Sequence, residues 1–437
     1  MTILLFSICL IFLLIAYILG RFDLTWPSFV LTFGYVISSL FSNINAFIWD
    51  ADIHFNTVIL IIYSIFLFMV IGVVGKKLFC RNVLARNTTA LEFCKIEIRK
   101  ERVKIFIFLQ IILLFWLLYY IDFTVNGINN PNAMNLFRAW STSTSALRDV
   151  QFNLLVKSIN IFSYTAYIFL YVIVNNFYYD KSKDVLLFSS IMIGLITSLL
   201  LGARASVVIF FINTLFFINI LYFKKHKKCY RVKCKDILIF IFAFVMSSIM
   251  FYLSKLVVGR GSNTISLLGY IQHISSYAGG SIHSLDCFLL DTEVISDVWG
   301  KETFYAINLF LSKFGLFGIE PYTIHLEHRL MENGIFLPNV YTSLRSYLYD
   351  FGIMGLTFLV IFFSLVIHIS YYKYAHNYSC KFNFGLLVYS TIFHTIFFDF
   401  IRGYFYISVF SVGFILQVLF LLLYCKLFLK RIRILWR

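Results

Sequence analysis

Long apolar runs separated by short polar breaks set the pattern of this chain. Eleven such runs stand at 2–20, 26–48, 57–74, 105–121, 153–176, 185–201, 206–223, 237–254, 351–372, 382–398 and 404–425. A helix crosses a bilayer with about 20 consecutive apolar residues. The runs are continuous rather than alternating, which predicts helical spans and not membrane β-strands. The first run has no basic leader and no small-residue cleavage site, and Gly20-Arg21-Phe22-Asp23 follows it. It is therefore predicted as a retained span rather than a signal peptide.

Composition agrees with that pattern. Of 437 residues, 60% are hydrophobic, 20% aromatic and 13% charged. An ordinary soluble domain is about 45–50% apolar and about 25% charged, and a soluble fold of this length cannot hide the excess. With only 4 prolines and no polar low-complexity tract, the chain is not disordered. The expected fold class is an all-α polytopic membrane protein with 11 transmembrane helices.

The net charge of +16 sorts by side. Segments 75–104, 224–236 and 426–437 carry nine, seven and five Lys or Arg. Basic residues favour the cytoplasmic side of short loops. With Arg21, Lys181, Lys183, Lys373 and Lys381, that side holds 26 of the 37 basic residues, and the outer side holds 11. The N-terminus then lies outside and the C-terminus inside. These loops are short, juxtamembrane and without a nucleic-acid-binding fold, so membrane lipid is the expected partner of the charge and nucleic acid is not. Cys287 is the lone cysteine of the outer loops, so no external disulfide is expected, and Cys229 and Cys234 lack the second pair that a zinc site needs. Three regions follow: a bundle of spans 1–8 over 1–254, a large outer loop over 255–350, and spans 9–11 with a basic tail over 351–437.

Loops as long as 255–350 usually carry function. Helices are predicted there at 264–278, ended by Gly279-Gly280, and at 281–291 and 303–314. Pro321 and Pro338 suit first-turn positions, predicting helices over 321–332 and from 338 to Asp350. On such helices His283 and Asp286 share a face, as do His325 and Arg329, and Tyr341, Arg345 and Tyr349 line one side. Four arginines fall at the outer membrane boundary: Arg204 in LLLGARAS, Arg260 in VVGRGS, Arg345 in TSLRSY and Arg402 in DFIRGY. Charge there runs against the positive-inside bias, and Arg is the bidentate partner of phosphate. Headgroup anchoring, or a pair of Arg402 with Asp399, is the competing reading. Asp50-Ala51-Asp52 forms a D-x-D that could share a divalent cation with a phosphate.

The LGAR turn, YIQHISSYAGGSIHSLD and PNVYTSLRSYLYDFGIMG together resemble motifs of bacterial O-antigen and oligosaccharide repeat-unit polymerases, the Wzy type. The resemblance implies a glycosyltransferase C-like fold in the inner membrane and an enzyme of lipopolysaccharide biosynthesis. Its substrate is an oligosaccharide on undecaprenyl pyrophosphate, and a chain-length regulator protein is an implied partner. The growing chain is transferred to a new lipid-linked unit on the periplasmic face. For that chemistry Arg204, Arg260, Arg345 and Arg402 are the candidates to bind pyrophosphate without a metal or cofactor. His283, Asp286, His325 and Glu327 are candidate general bases. Tyr270, Tyr277, Tyr341 and Tyr347 are candidates to stack on sugars. The rivals are an O-antigen ligase with a similar bundle, and a lipid-linked oligosaccharide flippase. A flippase usually shows repeated halves, which this chain lacks, and few ionisable residues lie within its spans.

The charge split makes a direct prediction: reporter fusions at Lys228 and Glu302 should report opposite sides of the membrane, and the same side for both would sink the topology.

Overall fold

Ten of the eleven apolar runs form helix in a computed structural model. It describes all residues except 87–92, 126–132, 142, 144–145, 147–148, 204, 227–266, 292–295, 325, 332, 376–381 and 431–437. The run at 237–254 lies outside the described residues. Seven helical stretches are long and apolar enough to cross a membrane: Thr2–Leu19, Pro27–Trp49, Phe55–Leu78, Lys100–Val125, Val150–Asp180, Ala205–His226 and Ser343–Ala375. Val185–Leu200, Phe384–Phe400 and Val412–Phe428 are shorter apolar stretches. The described residues contain no strand, only the isolated bridges Ile98–Leu429 and Leu330–Phe336. The chain is thus an all-helical, multi-pass membrane protein. Its outward faces agree: Leu14 and Ile18 are 63% and 64% exposed, which suits lipid rather than water.

Two compact units divide the described chain, and they do not follow chain order. The first takes residues 1–90, 266–379 and 392–416; the second takes 91–265, 380–391 and 417–437.

In the first unit α1 (Thr2–Leu19), α2 (Pro27–Trp49) and α3 (Phe55–Arg86) pack with α13 (Ser343–Ser370). Tyr63 meets Thr357 and Ser364 donates to the Phe68 carbonyl, at sequence separations of 294 and 296. A constant separation means that α3 and α13 run parallel, so their starts share one end of the unit. At the opposite end Trp26 donates to Tyr372 at 2.8 Å, and the His368 ring lies 2.9 Å from Ser28. These hydrogen bonds satisfy polar groups that lipid cannot.

In the second unit Leu117, Tyr120 and Ile121 of α4 (Lys100–Val125) pack with Phe137 of α5 (Ala133–Ser141) and Phe152 of α6 (Val150–Ser163). α7 (Thr165–Asp180), α8 (Val185–Leu200) and α9 (Ala205–His226) complete its described helices between 91 and 265. Phe106 is ringed by Phe162, Phe169, Tyr424 and Phe428.

The long segment between 266 and α13 builds α10 (Leu267–Ala278), α11 (Gly280–Leu290) and α12 (Tyr305–Ser312), close to the expected helices. The helix expected over 321–332 does not form. That stretch is a non-helical strap in which Met331 and Ile335 join across Gly334, at φ +79°. Arg329 is drawn onto Tyr341 and the Cys287 carbonyl, and these tertiary bonds override the local proline signal. His325 lies outside the described residues, and Arg329 is not on a helix, so the expected helical pair is absent. The helix expected from Pro338 begins only at Ser343, and Gly352 interrupts it at φ +65°, ψ −167°. Only glycine adopts that backbone readily. Gly352→Ala should cost about 1–3 kcal/mol, seen as a lower unfolding temperature of the purified protein; an unchanged temperature would show that the break is dispensable.

Candidate functional site

The α10–α11 segment is seated by Gly279. A Cβ there would lie 2.3 Å from the backbone of Phe41 and Ser42, so only glycine lets the α10–α11 joint rest directly on α2. Asn45 and Ser38 of α2 reach across to the carbonyls of Ser275 and Ala278 and fix the joint.

His283 and Asp286 follow on α11, both buried. The His283 Nε2 lies 3.1 Å from Ser42 Oγ and 3.2 Å from its carbonyl. Burial lowers its pKa, so the ring is a neutral strut whose Nε2–H donates to the carbonyl. Nδ1 of His283 has no hydrogen-bond partner among the described residues and no solvent access. Asp286 faces the start of α3. It accepts from the His54 amide at 2.8 Å and from the Thr57 hydroxyl at 2.5 Å, and its second oxygen lies 2.9 Å from His54 Nδ1. The positive end of the α3 dipole meets this carboxylate. The His54 side chain is 57% exposed while Asp286 is 7% exposed. A buried carboxylate thus orients an exposed imidazole, the arrangement of a base and its orienting acid.

Two residues beyond Asp286, the Phe288 ring meets two guanidiniums. Arg345 Cζ is 5.1 Å and Arg329 Cζ 5.5 Å from its ring centre. Arg345 also lies 4.9 Å from the rings of both Tyr341 and Tyr349, as the sequence spacing predicts. It is ion-paired with Glu302, both groups being buried, and Ser346 donates to the second Glu302 oxygen at 2.9 Å. The Glu302 and Thr303 amides donate in turn to Asp350. Arg329 pairs with Asp291 and donates to Tyr341 at 3.1 Å. Arg345 is therefore turned into the protein, away from any phosphate outside it.

The other candidates separate. Arg204, Arg260, His325 and the Tyr270 side chain lie outside the described residues. Arg402 is half-buried, 6.0 Å from the Tyr404 ring, with no carboxylate partner among the described residues. The competing pair with Asp399 is not formed; Asp399 accepts from Tyr35 at 3.0 Å instead. Tyr347 is buried against Tyr406 and beside Gly403, and Tyr341 is buried under Arg345, so neither offers a face to a sugar. Tyr277 packs on His273, 5.1 Å away. Glu327 is exposed, 3.9 Å from Arg329. In the D-x-D, Asp52 accepts from the terminal amine and from the Thr2 and Ile53 amides. Desolvation opposes its charge, but these donors outweigh it and hold the carboxyl at about 2. Its oxygens are thereby taken up by donors rather than turned toward a cation.

Sequence reasoning missed His54, Glu302 and the placement of Arg329. His54 stands two residues beyond the D-x-D, and its partner is 232 residues away. Glu302→Gln should destabilise the protein by about 3–5 kcal/mol, because it leaves Arg345 buried and uncompensated. Pairing Glu302→Leu with Arg345→Met should recover most of that loss. Thermal unfolding of the single and double variants checks this; equal losses in all would show that the ion pair is not what holds this aromatic collar of Phe288, Tyr341 and Tyr349 around Arg345.

Compared with protein-family models, curated proteins and solved structures, the chain matches none.

Proposed function

We propose that the protein is a polysaccharide polymerase that joins lipid-linked oligosaccharide repeat units into O-antigen or capsular polymer at the periplasmic face of the inner membrane. The observation that carries this reading is the exposed His54 imidazole held by the buried Asp286 at the outer end of the first unit. The motif resemblance supplies the substrate class, and the dyad supplies a base suited to it.

In the reaction an acceptor hydroxyl of the new unit gives its proton to His54 Nε2, on the ring edge away from Asp286. Its oxygen bonds to the anomeric carbon of the growing chain. The anomeric carbon–oxygen bond to the pyrophosphate breaks, and undecaprenyl pyrophosphate leaves with the electron pair. Asp286 orients the ring and stabilises the imidazolium that forms. Negative charge develops on the leaving pyrophosphate, and cations aimed at it lower the barrier. Arg402, without a carboxylate partner among the described residues, is suited to this role. Arg204 keeps it through the LGAR motif, and Arg260 through its place at the outer membrane boundary in the sequence. Arg345 and Arg329 serve as supports, since Glu302 and Asp291 already hold them.

In a strain that depends on this protein, His54→Ala and Arg402→Ala should collapse the polysaccharide ladder to a single repeat unit, at unchanged protein level. A wild-type ladder from His54→Ala would reject the base. Loss of every repeat unit on gene deletion would point to a ligase or flippase instead.

A further inference from the structure

Residues 301–322 of the first unit close on themselves into a hairpin. At its base Tyr322 donates to the Lys301 carbonyl at 2.8 Å, and Asn308 donates to the Trp299 carbonyl at 2.9 Å and to the Tyr322 hydroxyl at 3.2 Å. The base is tied to the collar, since Glu302 holds Arg345 and the Thr303 amide donates to Asp350. α12 forms one arm. At the tip the chain turns through three left-handed residues, Gly315, Phe317 and Gly318, at φ +63°, +61° and +65°. A bulky side chain rarely takes that backbone. Here it leaves Phe317 85% exposed, with Phe314 and Leu316 exposed beside it.

The arm is inside out. The buried residues of α12 are the polar Asn308 and Ser312, while Phe310 is exposed. A helix bathed in water hides its apolar face instead. Between Thr303 and Ile319 the sole charge is Lys313. The arm also starts at the level of a membrane span. Phe304 packs 5.5 Å from Tyr406 and 5.8 Å from Phe410. Tyr406 donates to the Leu359 carbonyl, seven residues beyond the Gly352 break and so about 10 Å along the α13 span. Trp299 stacks on Phe304 at 4.9 Å, and Phe351 touches both rings. Trp is a residue of the membrane boundary. The exposed apolar surface of the hairpin thus continues that of α13, where Met354 and Phe358 are exposed on a helix that crosses the membrane.

We infer that the tip of this hairpin, residues 313–319, is inserted into the headgroup–acyl boundary of the leaflet at which the α13 span begins. Its partner is phospholipid. Phe314, Leu316 and Phe317 take the acyl side, and Lys313 runs its stem along them to reach phosphate. The tip stops at the boundary, because its left-handed residues break the helix ladder and hydrocarbon tolerates no open irregular backbone. Seated there, it fixes the height of Glu302, and with it the collar, relative to the bilayer. The insertion is independent of the reaction proposed for His54.

Single copies of the full chain in phospholipid nanodiscs test the insertion. The thiol of Phe317→Cys should react with a membrane-impermeant maleimide about tenfold more slowly than that of Glu320→Cys, because the reactive thiolate is disfavoured in the acyl region. Peptide mass spectrometry reads each site by itself. A phospholipid with a diazirine early in its acyl chain should, on illumination, add to the 313–319 peptide of the unsubstituted chain, as it should to the α13 peptide around Met354. Equal maleimide rates would place the tip in water and overturn the inference. A shielded thiol with a lipid adduct at Met354 alone would overturn it too, since the chain itself would then cover the tip. A tip that reacts in nanodiscs but is shielded in native membranes would assign it to a protein partner or a second copy instead.

Discussion

The carboxylate of Asp286 joins what the chain makes far apart. It belongs to a helix of the long loop before α13, yet three of its hydrogen bonds go to the first turn of a membrane helix. A buried carboxylate needs such partners to offset lost hydration. Meeting that need docks α11 against α3 at one rotation and height. The same docking turns His283 onto Ser42, and it sets Phe288 where two guanidiniums can flank it. The exposed imidazole, the neutral strut and the aromatic collar are thus consequences of one requirement.

A second constraint acts on the collar. Arg345 and Glu302 neutralise each other out of water, and Asp350 receives the amides that begin the turn at Glu302. Arg345 and Asp350 both stand within a few residues of the break at Gly352, and both are compensated from the turn at Glu302. The short helix before that break carries the guanidinium inward, and the long helix after it enters the membrane. The reversal separates a loop-supporting function from a spanning one inside a single stretch of sequence.

Much of the bundle was legible because apolar runs and their length are local signals. The α10–α11 pair was equally plain, since Gly279-Gly280 marks the joint. Tyr341, Arg345 and Tyr349 were expected on one side and meet there. What could not be read were partnerships across distance. His54 acquires its meaning from Asp286, and Arg345 from Glu302, and no spacing rule links them. The strap at 321–332 escaped for the converse reason: Pro321 is a genuine helix-start signal, but Arg329 gains more from Tyr341 and the Cys287 carbonyl than a helix would offer. Arg402 and Asp399 are near neighbours in sequence, yet Asp399 turns to Tyr35.

The discontinuity of the first unit bears on how the molecule is made. Residues 91–265 are synthesised between its first and second segments. At about 5–20 residues per second, that interval lasts roughly 9–35 s. Throughout it, Ser38, Ser42 and Asn45 of α2 wait for partners that do not yet exist, though all end fully buried. A nascent helix with a row of polar side chains facing lipid is a natural client for an insertase or intramembrane chaperone, and a natural target for quality-control proteolysis if the second segment is delayed.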